Sequence, residues 1–120
     1  MMIYMVEDDL DIQEAMSDIL RDSGLEVMLF DNSKRLTEFS IHQPPEKDSL
    51  ILLDLMTPEM SGPEYLECRS QQEECWRSVP VIAMSASVVA LRNLPAGQKY
   101  LSKPFSVDAL FRSIQSAQSA

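Results

Sequence analysis

Cysteine, basic side chains and long apolar stretches are all scarce in this sequence, and each scarcity excludes something. The two cysteines, Cys68 and Cys75, are too few for a disulfide framework, and no Cys/His pair accompanies them at zinc-site spacing. A reducing cytoplasm is the expected compartment. Lys and Arg number 10 against 19 Asp and Glu, giving a formal net charge of −9. Such a chain repels phosphate backbones and anionic lipid, so direct nucleic-acid or membrane binding is not expected. No run reaches the ~18 apolar residues of a membrane span. The apolar opening, residues 1–6, runs into three acids with no basic n-region and reads as a buried strand, not a signal sequence. There is no internal repeat and no interdomain linker, and 120 residues suffice for one core but leave two marginal, so residues 1–120 read as one domain.

What the sequence does contain is alternation. Short apolar runs at 2–6, 25–30, 50–55, 79–84 and 99–102 are separated by segments of helical period, the pattern of a parallel sheet covered by helices on both faces. In the first such segment Ile12, Ala15, Met16, Ile19 and Leu20 form an apolar stripe closed by Gly24. The last carries Val107, Leu110, Phe111 and Ile114 behind a possible Ser106 cap, and the small polar residues 115–120 are expected to fray or to begin a linker. Between these, Asn32 or Ser33 can cap a second helix that must end before Pro44-Pro45, in a loop expected to be mobile. Pro63 can open a third over 63–74, with Cys68 as a small core filler. A fourth, over 86–94, is held to about two turns by Val88-Val89 and Pro95.

In an open parallel sheet, ligands bind beyond the carboxyl ends of the strands. The residues there are Glu7, Asp8 and Asp9 after the first run, Asp54 at the end of the third, Ser85 after the fourth, and Lys103 before Pro104 after the fifth. Acids after a strand often only cap the next helix, and a lysine before proline is usually a solvated loop residue. Asp54 is less easily dismissed. It ends a run apolar enough to be buried on both faces, where an unpartnered charge is costly. Carboxylates gathered at one edge repel one another unless a hard cation sits among them, and Mg2+ suits a few carboxylate oxygens plus water and a phosphate oxygen. An aspartate so placed can attack phosphorus, with Lys103 and the Ser85 hydroxyl matching the charge of the phosphoryl group.

Four segments then carry a resemblance: residues 5–9 (MVEDD), 52–62 (LLDLMTPEMSG), 81–86 (VIAMSA) and 100–105 (YLSKPF). Occurring in this order, they resemble the receiver (response-regulator) domains of bacterial two-component signalling, over residues 2–117. The resemblance implies a flavodoxin-like, doubly wound five-stranded parallel sheet in order 2-1-3-4-5 with five helices. It implies that Asp54 is the phosphoacceptor, served by a sensor histidine kinase or phosphotransfer protein. By the same resemblance, Glu7, Asp8, Asp54 and the Met56 backbone carbonyl would hold Mg2+, with Asp9 outside the ligand set. Lys103, joined to Pro104 by an expected cis peptide, and Ser85 would contact the phosphate. Tyr100 would turn inward behind Ser85, repacking a face of the fourth helix, fifth strand and fifth helix toward a downstream output domain or protein. Met56 and Ser87 fall where the family tunes self-dephosphorylation.

Two departures qualify this. Serine stands at 85 where threonine is commoner, and only 17 residues, 86–102, separate Ser85 from Lys103, about one helical turn fewer than usual, so the fourth helix is shortened. That shortening keeps a phosphorylation-independent docking module in view. An aspartyl-phosphate phosphohydrolase is the third class, but it needs an acid two residues after the nucleophile, where this chain has Met56. Apart from its own phosphorylation and slow dephosphorylation, no enzymatic activity is expected.

Overall fold

The computed structural model describes residues 1–118. In chain order it has β1 (Met2–Val6), α1 (Leu10–Asp22), β2 (Glu26–Phe30), α2 (Ser33–His42), β3 (Ser49–Asp54), α3 (Gly62–Cys68), a 3-10 turn (Arg69–Gln71), α4 (Glu74–Arg77), β4 (Val81–Ser85), α5 (Val88–Arg92), β5 (Tyr100–Ser102) and α6 (Val107–Gln118). The strands form one sheet in order β2-β1-β3-β4-β5, every neighbouring pair parallel. This is the expected flavodoxin-like arrangement. Among the described residues no helix is long and apolar enough to cross a membrane.

The period-2 geometry of a strand sends alternate side chains to opposite faces, and here both faces are covered. Ile3, Met5, Leu50, Leu52, Ile82, Met84 and Leu101 pack under α1 and α6 against Met16, Leu20, Leu110 and Ile114. Tyr4, Val6, Ile51, Leu53, Val81 and Ala83 pack on the other side against Phe30, Leu36, Tyr65 and Trp76. The continuous apolar runs are thus two interleaved cores read along one chain. Gly62 lies at the start of α3, where a Cβ would stand 2.6 Å from the Leu55 Cα, so only glycine lets this turn close against the end of β3.

Several expectations need correction. The stretch expected as one helix over 63–74 is broken, so the helices outnumber the five expected. The α3 start is fixed by a capping box in which Ser61 accepts from the Glu64 N–H and the Glu64 side chain accepts from the Ser61 N–H. Its end is fixed by Arg69, whose guanidinium donates to the carbonyls of Arg77 at 2.8 Å and Val79 at 2.9 Å, while Gln72 is extended. This folds the chain back so that Trp76, on α4, is fully buried. Cys68 is exposed instead of filling the core. The buried residues of α3 are Gly62 and Tyr65, and Cys68, in its last turn, points to the side of the face they form.

The Pro44-Pro45 loop, expected to be mobile, is flanked by two long-range hydrogen bonds: the Trp76 indole N–H donates to the Gln43 carbonyl at 2.8 Å and the Glu46 N–H donates to the Tyr4 hydroxyl at 2.9 Å. Of the residues expected to fray or to begin a linker, 115–118 lie within α6. Ala117 is buried, and Lys99 donates to the carbonyl and hydroxyl of Ser116, tying the last turn of α6 to the start of β5. Residues 119 and 120 of that expectation lie outside the described residues. The α1 stripe is also rotated by about one residue from the expected one: Gln13, Met16, Ser17 and Leu20 are buried, whereas Ala15 is exposed.

Candidate functional site

Because all five strands are parallel, their carboxyl ends share one edge, and the sheet register sets what stands there. Glu7 directly follows β1, its N–H donating to the Phe30 carbonyl at 3.0 Å as a last rung of the β1–β2 ladder. Asp54 is the final residue of β3 and Ser85 of β4. Lys103 follows β5, and its N–H donates to the Ser85 carbonyl at 2.9 Å. The Lys103-Pro104 peptide is cis. Asp9 does not join the cluster, because its carboxylate caps α1, accepting from the N–H groups of Asp11 at 2.9 Å and Ile12 at 3.1 Å.

The side chains converge. Lys103 Nζ lies 2.7 Å from Glu7 Oε1 and 3.5 Å from Asp54 Oδ2, and Asp54 Oδ1 accepts the Met56 N–H at 3.0 Å. One carboxylate oxygen from each of Glu7, Asp8 and Asp54 lies within 4.8 Å of the others. Glu7 and Asp54 are buried, at 1% and 5% exposure, and Asp8 is open to solvent. Burial, and next the neighbouring Asp54 carboxylate, push Glu7 up to about 7 despite the pull of Lys103. For Lys103 burial works in the opposite direction, against the charge, but Glu7 and Asp54 together outweigh it and hold the ammonium above its ordinary range. One lysine therefore does not neutralise this edge. An all-carboxylate, partly solvent-open donor set that still favours added positive charge fits a hard divalent cation such as Mg2+.

The other candidate residues stand around this centre. Ser85 is buried, and its hydroxyl oxygen accepts the Ser87 N–H at 3.0 Å, which leaves the hydroxyl proton available to a ligand. Ser87 caps α5, accepting the Ala90 N–H at 3.1 Å. The Met56 side chain is exposed beside Asp54, and Tyr100, on β5, is 55% exposed. Sequence reasoning missed Gln13, buried on α1, whose side-chain nitrogen donates to the Glu7 carbonyl and, at 3.3 Å, to Asp31 Oδ1. The signal for it was available: counting back from Leu20 and Met16 at helical spacing reaches Gln13, a polar residue on the inward stripe.

The model of one protein family, the response regulator receiver domain, matches residues 3–115. The chain belongs to this family. The response regulator protein TmoT of Ectopseudomonas mendocina is 30% identical over 119 residues, which cover 96% of this chain and 51% of that protein. The receiver domain of the sensor histidine kinase PA1611 from Pseudomonas aeruginosa has a TM-score of 0.83 at 26% identity, covering 99% of this chain and 98% of that one, and it was solved with a magnesium ion coordinated in its active-site cleft. The chemotaxis protein CheY4 of Vibrio cholerae shares the fold at a TM-score of 0.78 and 20% identity, over 97% of each chain. This receiver domain spans about half the length of the curated relatives it matches.

Proposed function

We propose that this receiver domain is a phosphorylation-dependent switch in which Asp54 accepts a phosphoryl group from a phosphohistidine of a sensor histidine kinase or phosphotransfer protein. The observation that supports this most is the Lys103 ammonium set between Glu7 and Asp54 at a buried sheet edge that Asp8 completes. An oxygen of Asp54 bonds to phosphorus as the phosphorus–nitrogen bond to the donor imidazole breaks, and the imidazole leaves neutral after taking up a proton. The Met56 N–H holds Oδ1, which directs the carboxylate and leaves Oδ2 on the Lys103 side. Glu7, Asp8, Asp54 and the Met56 carbonyl are the residues that would hold Mg2+, which supplies charge to the phosphoryl oxygens. Lys103 gives up part of its pairing with Glu7 to follow the new negative charge, and the Ser85 hydroxyl turns its proton to the same group.

Movement of Ser85 opens space behind it for the exposed Tyr100 to enter. Phosphorylation is thereby written onto the face of α5, β5 and α6, for an output domain or partner protein to read. Since α5 is only five residues long, that face differs from one built on a full helix, and a phosphorylation-independent docking module is the second reading. Acetyl phosphate with Mg2+ separates the two. The expected result is one added phosphoryl group by mass, mapped to Asp54 and absent in Asp54→Asn or without Mg2+. A protein that stays unmodified would leave the docking module.

Met56 also bears on how long the signal lasts. A thioether neither polarises nor orients a water, so the phosphorylated state is expected to decay slowly. Ser87, occupied in capping α5, adds no free group in the starting state. Met56→Asn should speed the decay about tenfold, less than the ~10²–10⁴ of a true general base because an amide orients water without taking its proton. The decay of phospho-Asp54 after removal of excess phosphodonor measures this.

A further inference from the structure

Each polar group of Glu7 has its own partner. The N–H donates to the Phe30 carbonyl at 3.0 Å, Oε1 accepts from Lys103 at 2.7 Å, and Oε2 accepts the Asp9 N–H at 3.4 Å. The carbonyl accepts from the Gln13 side chain, a partner that belongs neither to the sheet ladder nor to the Lys103–Asp54 cluster. Gln13 is 7% exposed on an otherwise core-facing stripe, and its amide nitrogen also lies 3.3 Å from Asp31 Oδ1, one residue past β2. Both neighbours are pure acceptors, so the nitrogen end of the amide must face them, and its two N–H groups can serve both at once. One neutral side chain thus ties the loop carrying Glu7 and Asp8 to the loop after β2.

We propose that Gln13 is a positioning residue for the metal cradle: by holding the Glu7 carbonyl it sets the peptide plane from which the Glu7 and Asp8 carboxylates are presented together. The proposal rests on the reading of Glu7, Asp8 and Asp54 as the Mg2+ ligands. The Glu7 carbonyl lies past the end of its strand, and a buried carbonyl without a donor swings toward water. Such a swing turns the Glu7–Asp8 peptide and carries Asp8 with it. Mg2+ tolerates this poorly, since it demands near-octahedral placement of its oxygens. Asp31 holds the amide from the far side, so the Gln13 side chain has two anchors and little freedom to follow a wandering loop.

Gln13→Met on the full chain tests this, because methionine keeps the volume and helix propensity and removes both donors. Mg2+ binding by calorimetry should weaken about 10- to 100-fold, the usual cost of losing a group that orients a metal ligand. Leu20→Ala, buried on the same helix but away from the loop, serves as control: it lowers stability and should leave Mg2+ affinity unchanged. In the metal-free protein, amide exchange at Asp8 and Asp9 should quicken in Gln13→Met and not in Leu20→Ala. Mg2+ affinity within about twofold of the native protein would overturn the proposal. A native protein that takes up no Mg2+ overturns the reading of the site instead, and unchanged exchange at Asp8 and Asp9 then removes the role of Gln13 as well.

Discussion

Lys103→Met should cost the domain on the order of 3 kcal/mol at about pH 8 and much less at about pH 5.5. The lysine is the cation held between Glu7 and Asp54, and removing one member of a buried pair leaves the other charge stranded. Here the stranded acid has an escape. Glu7 already stands at about 7 in the folded protein against 4.5 for an ordinary glutamate, so the folded state binds more protons than the unfolded chain in between. A group raised in this way contributes stability that is complete below its unfolded value and is lost as pH rises through its folded value. Without Lys103 the folded value climbs further, so the loss still begins near the unfolded value but grows larger and runs on to higher pH. At mildly acid pH Glu7 takes the proton, the two carboxyls share it, and the variant approaches the native protein.

Urea unfolding at both pH values measures the difference. Mg2+ at a hundred times its Kd should then restore about 2.7 kcal/mol at the higher pH by binding only the folded state. An equal loss at both pH values would show that the aliphatic stem of Lys103, not its charge, carries the effect. The same variant should accept Mg2+ at least as tightly as the native protein, since the competing ammonium is gone, while failing to respond to phosphorylation.

The sheet and the acid edge were legible because each is written in a local pattern. Apolar runs four to six residues long name the strands, of which β1, β3 and β4 are buried on both faces, and the polar residue at the end of every run but one marks the carboxyl edge of the sheet, so the places of Glu7, Asp54, Ser85 and Lys103 on that edge follow from the sequence. What was illegible depends on contacts far apart in the chain. The break after Cys68 comes from Arg69 reaching carbonyls eight and ten residues on, and nothing in the local propensities announces it. Gln13 was passed over because a hydrophobic stripe drawn through Ile12 and Ala15 scores well by composition, whereas the stripe that is buried includes two polar residues serving backbone carbonyls. Their hydrogen bonds, from Gln13 to Glu7 and from Ser17 to Gln13, are what make burying them tolerable. Trp76 belongs to the same class: a single tryptophan among glutamates, glutamine and arginine shows no periodicity, yet it is the largest fully buried side chain.

Trp76→Ala should therefore be the most destabilising single truncation, at about 3–5 kcal/mol, a large share of the 5–15 kcal/mol by which a domain of this kind is stable. The ring lies 5.1 Å from Tyr4 and 6.1 Å from Phe39, centroid to centroid, in tilted and edge-on contacts. Its N–H holds the Gln43 carbonyl, and the Tyr4 hydroxyl holds the Glu46 N–H, so the cavity would open beneath the loop on which β3 begins. Trp76→Phe should recover most of the packing while leaving the Gln43 carbonyl unpaired, for a loss of about 1–3 kcal/mol. Both losses belong to the amino-terminal edge of the sheet, where β3 and β4 start. The carboxylates, Ser85 and Lys103 stand at the opposite edge, so the folded fraction of either variant should bind Mg2+ with native affinity. Equilibrium urea unfolding with an unchanged m-value, together with Mg2+ titration well below the unfolding midpoint, measures both quantities. A fall in Mg2+ affinity that tracks the Trp76 substitutions would mean that the two edges are coupled through the strands, and that the aromatic cluster belongs to the switch as well as to the core.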